Sequence, residues 1–415
     1  MHPLILSKFD TKGGAAIAAH RLHEGLKQEM VYSTMLVDIR SSQNDQSILG
    51  DDAGHNFTKA RNKVYSVVNS FPLRFTRKPV SEYSLQWISN FEILTKINKL
   101  KPDIINLHWI CAGFIGLKTI ARFNVPVVWT IHDMWPFTGG CHYSHGCNKF
   151  MKNCGNCPQL GSKRDFDFSR WLWNKKASAW EDLDMTFVSP SKWLAKEAQS
   201  SGLFRKLRVE VIPNGINTDI YKPLDRQKTR QILNLPANKT LILFGAVNAT
   251  SNPRKGFHLL KQALKELTKL RLQDVEIVVY GASSSNKESE FGIKCHYLGE
   301  LNSDLAIVQA LSAADVFVAP SVQDNLPNTI MEAISCGIPC VAFDIGGISD
   351  MIEHTKNGYL ATPFDVQEFA RGVLWIVENT ERFHQLSNYA RQKAVNEFNQ
   401  QLQAKRYLSL FHELI

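Results

Sequence analysis

At 415 residues the chain exceeds what one hydrophobic core usually fills, since domains tend to split beyond roughly 250 residues, so two domains are expected. Hydrophobic and charged fractions of 44% and 21% exclude disordered and fibrous architectures, and no apolar run approaches the roughly 20 residues that cross a bilayer. The formal charge of +9 is uneven: up to Gly215 there are 28 Lys and Arg against 18 Asp and Glu, and after it 20 against 21. The basic first half therefore expects an anionic partner, with nucleic acid, a phosphorylated substrate and an anionic membrane surface all compatible. MHPLILSKFD is too short and too quickly charged for a signal peptide, which makes the cytoplasm the expected compartment.

Short Val/Ile/Leu runs alternate with helical periods, the signature of parallel βαβ units and an α/β fold. PLILS reads as the first strand, followed by KFDTKGG and the helical AAIAAHRLHEGLKQ; VYSTMLV is the next strand. From Ser41 to Tyr83 the period is poor, and KARNKVYSVVNSFPLRFTRKP mixes basic and aromatic residues, a solvated loop and helix or a membrane or acceptor contact. Then come the strand DIINLHW, a helical GLKTIARFN, the strand VPVVWTI, the strand DMTFVSPS, the helix WLAKEAQSS and RVEVIPNGI. PNGINTDIYKPLD resembles a linker. The pattern restarts with LILFGAV and a helix whose stripe is Phe257, Leu260, Leu264 and Leu267, then VEIVVYGAS, LAIVQALSAA and DVFVAPS, and the chain ends in the helical QQLQAKRYLSLFHELI.

In open parallel sheets, ligands sit beyond the carboxyl ends of strands, where helix amino termini present N–H groups. Gly13 and Gly14 follow the first strand region, where glycine allows positive φ and close backbone approach to a phosphate or sugar; a tight structural turn fits equally. His132 and Asp133 lie at the exit of VPVVWTI, where the histidine can act near neutral pH and the aspartate can orient it. Arg254 and Lys255 precede a helix, a placement that opposes the helix dipole unless an anion sits there. In PSVQDNLPNTIMEAISCG, Pro327 sits at or before the first helical turn and Asn328 is a suitable cap for a helix running to Gly337. Asp324 then lies in the loop and Glu332 about one turn into the helix, so that both carboxylates can accept sugar hydroxyls while the helix amino terminus between them suits a phosphate.

GCHYSHGCNKFMKNCGNCPQLG carries Cys141, Cys147, Cys154 and Cys157. Disulfides are disfavoured in a reducing compartment, which leaves structural zinc on four thiolates, unmetallated buried thiols, or redox chemistry.

The chain as a whole resembles a family 4 retaining glycosyltransferase of the GT-B architecture, with two facing Rossmann-like domains. PSxxDNLPNTxxEA resembles the family's E-x7-E signature with Asp324 in place of the first glutamate and Glu332 retained. GGAAIAAHRLHEGL, HDMWPFTGGCHYS and CGNCPQL further resemble bacterial exopolysaccharide enzymes of the colanic-acid type. The resemblance implies an acceptor-binding domain at 1–215, a nucleotide-sugar-binding domain at 216–390 and a segment 391–415 whose helix returns to the first domain. It implies a UDP- or GDP-sugar donor, with Glu332 on the ribose and Asp324, Asn325, Leu326, Pro327, Asn328 and Thr329 around the sugar and diphosphate. Gly13 and Gly14 would approach the donor phosphate, His132 would line the sugar site, and Lys255 would neutralise the leaving diphosphate. The family usually places an arginine about five residues before that lysine; here Arg254 is adjacent and substitutes for it. No cofactor is then required for catalysis. The implied acceptor is a glycan or polyprenyl-diphosphate-linked glycan, with peripheral contact at the cytoplasmic face of the inner membrane. No nucleic-acid recognition module is present. The alternatives are a GT-B-like nucleotide-sugar epimerase and a non-catalytic glycan-binding protein.

Overall fold

The computed structural model describes residues 1–42, 45–78, 82–90, 92–181, 184–245, 251–270, 274–282 and 293–415. The chain divides into two compact units, Met1–Asn214 with Gln403–Ile415, and Gly215–Leu402.

The first unit is built on a parallel sheet of β1 (Pro3–Phe9), β2 (Thr34–Arg40), β3 (Ile48–Asp52), β4 (Ile104–Leu107), β5 (Val127–Thr130), β6 (Met185–Ser189) and β7 (Val209–Val211), in the order β3-β2-β1-β4-β5-β6-β7. Its strands are apolar on both faces, as a sheet covered on both sides requires. In β1, Ile5 joins a core with Leu22 and Leu26 of the helix Gly14–Gln28 and with Tyr407 and Phe411 of the last helix. Leu4 and Leu6 point the other way, into a core dominated by Trp129, Trp135, Trp180, Phe187 and Phe204. The Phe187 and Phe204 ring centroids lie 4.0 Å apart.

The second unit carries β8 (Thr240–Gly245), β9 (Val275–Tyr280), β10 (Cys295–Gly299), β11 (Val316–Ala319), β12 (Cys340–Phe343) and β13 (Gly358–Ala361), all parallel, in the order β10-β9-β8-β11-β12-β13. Ile242 and Phe244 pack on one face against Leu260, Leu264 and Leu267, the stripe expected from the sequence, with Phe257 partly buried beside them. Leu241 and Leu243 pack on the other face against Ile330, Met331 and Ile334. Both units are Rossmann-like.

Several expectations are corrected. The stretch that resembles a linker is anchored in the second unit: Ile216 and Tyr221 are buried in its core, the Ile216 amide donates to the Phe398 carbonyl at 2.8 Å, and Ile216 accepts from the Gln400 amide at 2.9 Å. The segment set off at residue 391 divides differently, because the helix Thr380–Glu397 runs through that point and Ala390, Ala394 and Phe398 belong to the second unit's core. Residues 41–83 hold a strand, β3, as well as the helix Asn56–Ser70 and the 3-10 turn Phe71–Phe75. GLKTIARFN contributes only the four-residue helix Leu117–Ile120.

Candidate functional site

In the first unit the polar residues gather where the strands end. Gly13, at φ 94°, is the residue before the helix Gly14–Gln28, and its carbonyl accepts the Ile17 amide at 3.0 Å. A Cβ added at Gly13 would meet nothing within 4 Å, so it is the backbone angle rather than crowding that favours glycine here. Asp10, fully buried, ties down the neighbouring loop by accepting the amides of Ser41 at 2.9 Å and Ser42 at 2.7 Å. Burial by itself would raise its carboxyl, and these hydrogen bonds outweigh it and hold the group below its ordinary value.

His132 follows β5, whose line is continued by the Ile131 amide donating to the Val188 carbonyl at 2.8 Å. The structure reassigns its partner. Asp133 is engaged by His142, with Oδ2 to Nδ1 at 2.7 Å, and by the Trp135 amide on Oδ1 at 2.8 Å. His132 Nε2 instead lies 2.8 Å from His108 Nδ1, with the two rings stacked. The proton positions follow from the far end of this chain. Asn106 Nδ2 donates to the Val128 carbonyl at 3.1 Å and to Thr130 Oγ1 at 3.0 Å, and a carbonyl can only accept. Asn106 Oδ1 therefore accepts from His108 Nε2, 2.9 Å away, which leaves His108 Nδ1 as an acceptor for a proton on His132 Nε2. His132 is thus held as the tautomer protonated at Nε2, with Nδ1 as its acceptor atom. Protein atoms crowd the ring although it keeps some exposed surface; burial lowers its pKa to about 4 against the opposing pull of Asp133, so the ring is neutral at pH 7. His108 is pushed down by its burial and by His132. The sequence signal for this network was available: Asn106 is the one polar residue of β4 and His108 follows directly after the strand.

A second buried polar group of this unit was not anticipated. Lys8 at the end of β1 pairs with Asp38 at the end of β2, and Asp38 Oδ1 also accepts Arg61 Nη2 at 2.7 Å. Lys8 additionally donates to the Ala112 carbonyl at 3.0 Å.

In the second unit, Asp324 and Glu332 are both buried, at 6% and 5% exposure. The helix is Asn328–Ser335; its cap position is Pro327, and Asn328 is its first helical residue with no side-chain cap bond at this end. The expectation of an Asn328 cap is thereby corrected: with Pro327 holding φ at −64°, the turn forms without a side-chain acceptor. Ile330 N donates to the Pro327 carbonyl at 3.1 Å, so the amides of Asn328 and Thr329 lead the helical ladder. Asn325 and Leu326 are buried.

Arg254 and Lys255 belong to the 3-10 turn Pro253–Lys255, and both meet Asp324: Lys255 Nζ at 2.7 Å and Arg254 Nη1 at 3.3 Å from Oδ2. Arg254 Nη1 also donates to the Gln323 carbonyl at 3.0 Å, and the Arg254 carbonyl accepts the Val322 amide at 2.8 Å. The two loops are fastened by backbone as well as charge. Gly256, at φ 73°, lies so close to the Pro320 carbonyl that a Cβ there would stand 1.7 Å from its oxygen. Gly346 approaches Asp324 in the same way, with a would-be Cβ 1.9 Å from the Asp324 carbonyl oxygen. Burial by itself would raise the Asp324 carboxyl, but the charges of Lys255 and Arg254 outweigh it and bring its pKa to about 2. Part of the loop preceding Arg254, residues 246–250, lies outside the described residues.

The four cysteines, 141, 147, 154 and 157, line one cavity of the first unit. None of the protein's cysteines is paired in a disulfide.

Residues 12–220 match Glycosyltransferase Family 4, and residues 225–393 match glycosyl transferases group 1. Among curated relatives, the sulfoquinovosyl transferase SQD2 of Arabidopsis thaliana is 25% identical over 336 residues, which is 78% of this chain and 58% of that protein. The putative colanic acid biosynthesis glycosyl transferase WcaC of Escherichia coli K12 is 25% identical over 256 residues, 58% of this chain and 60% of that protein. The match thus spans about three fifths of these relatives' own length. Among solved structures, sucrose-phosphate synthase from Thermosynechococcus elongatus superposes with a TM-score of 0.72 at 18% identity over 100% of this chain and 98% of that one. HepE of Anabaena, solved in complex with UDP-glucose, gives 0.67 at 19% identity over 100% of both chains. With a family match across half of its length and two Rossmann-like units of the GT-B kind, the chain belongs to glycosyltransferase family 4.

Proposed function

We propose that the protein transfers a hexose-type sugar from a UDP- or GDP-sugar to a glycan or polyprenyl-diphosphate-linked acceptor, with retention of configuration, in cell-surface polysaccharide synthesis. The observation that carries this reading is the buried Asp324 gripping Lys255 and Arg254 beside the amino terminus of the helix that bears the buried Glu332. Two cations and leading helix amides beyond the ends of β8 and β11 suit a diphosphate, and a buried carboxylate one turn along suits the paired hydroxyls of a ribose. The UDP-glucose bound by HepE supports the donor class, and the name of WcaC supports the polysaccharide context.

In this reading Glu332 accepts the ribose hydroxyls, while the loop from Asn325 to Thr329 surrounds the sugar and diphosphate. Asp324 sets Lys255 and Arg254 in place, and Gly13 and Gly14 allow backbone approach to the donor phosphate. His132 contacts the transferred sugar as a neutral ring. The bond between the anomeric carbon and the phosphate oxygen breaks with its electron pair going to that oxygen, where Lys255, Arg254 and the helix amides stabilise the developing charge. The acceptor hydroxyl attacks from the face the leaving group departs and passes its proton to the leaving phosphate. These groups supply the charge stabilisation without a divalent ion.

The test is transfer by purified protein after a thermal-shift screen of UDP- and GDP-sugars, in which the true donor raises apparent stability by mass action. Glu332→Ala and Lys255→Ala are expected to lower transfer by at least about 100-fold with unchanged circular dichroism, the scale seen when a charge-stabilising donor is removed. Full activity in either variant overturns the site, and turnover of the donor sugar without an acceptor overturns transfer in favour of epimerisation.

We further propose that the first unit meets an anionic bilayer surface through the helix Asn56–Ser70 and the turn after it. Phe57, Val64, Val67 and Phe71 recur at helical spacing and are all exposed, Phe75 is 74% exposed, and Lys59, Lys63, Arg74, Arg77 and Lys78 surround them. Exposed apolar side chains ringed by cations suit a headgroup interface. No helix among the described residues is long and apolar enough to cross a membrane. Flotation with phosphatidylglycerol vesicles is expected to recover the protein, and Phe71→Ser with Phe75→Ser to abolish recovery; equal flotation of the double variant overturns the assignment.

A further inference from the structure

Asp133 begins a polar relay that the reading above leaves unused. Its carboxylate accepts from His142 Nδ1 at 2.7 Å, and His142 Nε2 lies 2.9 Å from Ser84 Oγ. A carboxylate can only accept, so Nδ1 carries the proton, and in the neutral ring Nε2 is the acceptor for the Ser84 hydroxyl. The one proton of Ser84 is thereby committed to His142. A serine oxygen accepts up to two hydrogen bonds, so one place stays open to a ligand hydroxyl even with the buried Cys111 thiol beside it.

The backbone holds this relay in a fixed frame. The His142 amide donates to the Glu82 carbonyl at 3.1 Å and the Ser84 amide to the Gly140 carbonyl at 2.9 Å, which makes Tyr83 and Cys141 an antiparallel bridge. The His142 carbonyl accepts the Met134 amide at 2.9 Å, and Trp135 Nε1 donates to the Ser84 carbonyl at 2.7 Å. The cysteines of the same loop supply no second fastening. Among the described residues no three of Cys141, Cys147, Cys154 and Cys157 bring their sulfurs within 4.8 Å of one another, so the four-thiolate zinc expected from the sequence is not supported.

An aromatic surface adjoins the relay. Trp109, two residues past the end of β4, has its ring centroid 5.9 Å from that of His142. On β1, Phe9 lies 6.5 Å from Trp109 with the two rings 15° from parallel. Trp109, Phe9, His142 and Ser84 all keep exposed surface, whereas Asp133 is buried. A partly exposed indole beside a fixed hydrogen-bond acceptor matches a pyranose, whose C–H face packs on an aromatic ring while its rim carries hydroxyls that donate. Lys8, next to Phe9 on β1, is buried and paired with Asp38, so it offers no charge to a ligand here, and a neutral sugar fits better than an anion.

We propose that Trp109 and Ser84 form the subsite for the acceptor's pyranose ring: the ring stacks on Trp109 and one of its hydroxyls donates to Ser84 Oγ. His142 and Asp133 are positioning residues that fix the direction of that hydrogen bond. The proposal rests on the transferase reading only in taking the bound sugar to be the acceptor. The subsite selects a sugar by one hydroxyl, because an analogue lacking it leaves the Ser84 oxygen unpaired.

Saturation-transfer NMR of the full chain with a panel of methyl pyranosides, in the absence of donor, tests the subsite. At least one pyranoside is expected to bind the wild-type chain, about tenfold or more weakly to Trp109→Ala and about fivefold more weakly to Ser84→Ala, with the donor-induced thermal shift unchanged in both. Deoxy pyranosides, each lacking a single hydroxyl, need no variant to fold: one of them is expected to bind the wild-type chain about fivefold more weakly than its parent, and to bind Ser84→Ala as well as its parent does. In the transfer assay the same variants are expected to raise the acceptor KM by these factors and to leave the donor KM and kcat unchanged, whereas a loop that had only lost its shape would lower kcat and the unfolding midpoint. No pyranoside bound by the wild-type chain, or equal binding by wild type and both variants, overturns the subsite. Transfer with an unchanged acceptor KM in both variants overturns it while the transferase reading stands. Pyranoside binding that is lost in the variants of a chain that transfers no sugar supports the subsite and overturns the transferase reading instead.

Discussion

Asp324 shows how one side chain can serve the fold and the site together. Its folded pKa of about 2 lies below the ordinary 3.8, so its ion pairs contribute stability that is fully present above the unfolded value and is lost as pH falls through the folded one. The stability gap between wild type and Asp324→Asn is therefore expected to stay constant from pH 7 to pH 5 and to shrink by about 2 kcal/mol towards pH 2. Urea unfolding at each pH measures it. His132 behaves oppositely: its pKa, lowered by burial to about 4, lets the unfolded chain take up a proton first as pH falls, so that the folded state is penalised below about pH 6.5. Its ring is expected to remain neutral from pH 8 to pH 5, protonated at Nε2, in nitrogen-15 spectra. A titration near 6.5 would contradict the network through His108 and Asn106.

Elements matter here through their junctions. The turn Pro253–Lys255 reaches Asp324 only because Gly256 lets its backbone pass against Pro320. Gly256→Ala forces both a positive φ and an overlap with a carbonyl oxygen, and is expected to destabilise the second unit by about 2 kcal/mol or more while abolishing donor-induced thermal shift. Unfolding midpoints and the shift assay check both effects. The same logic explains which elements the sequence conceals. The helix Phe168–Trp180 buries Ser169, Leu172, Lys176 and Trp180, a regular helical stripe in which a serine and a lysine interrupt the hydrophobic pattern. β3, with only Ile48 fully buried, is too weakly apolar to stand out.

For the molecule as a whole, the last helix belongs to the first unit from Gln403 onward although the sequence immediately before it belongs to the second. Ala404, Tyr407, Leu410 and Phe411 are buried in the first unit's core with Ile5 and Val128, and Tyr407 OH meets Thr130 Oγ1 at 2.8 Å. At roughly 1.5–3 kcal/mol for each large apolar side chain, deleting 403–415 removes about 5–9 kcal/mol, comparable with the whole stability of a domain. The truncated chain is expected to lose hydrogen-exchange protection in β1 and β5 or to fail to fold, whereas Tyr407→Phe should cost only about 1 kcal/mol. Unchanged protection after truncation would contradict this packing.

The sequence by itself determined the alternation of strands and helices, the two-unit division near residue 215 and the family, because apolar period and strand-end residues are local properties of the chain. It also singled out Asp324, Glu332, Lys255 and His132, charged or titratable residues in the loops and helix starts that follow strands. Only the tertiary structure decided their partners: Asp324 with two cations, and His132 with His108 rather than with Asp133. It also decided that the supposed linker is core and that four cysteines spread over 17 residues share one cavity. Such pairings are set by strand order and loop crossings, which bring together residues far apart in the chain and leave no period in the sequence.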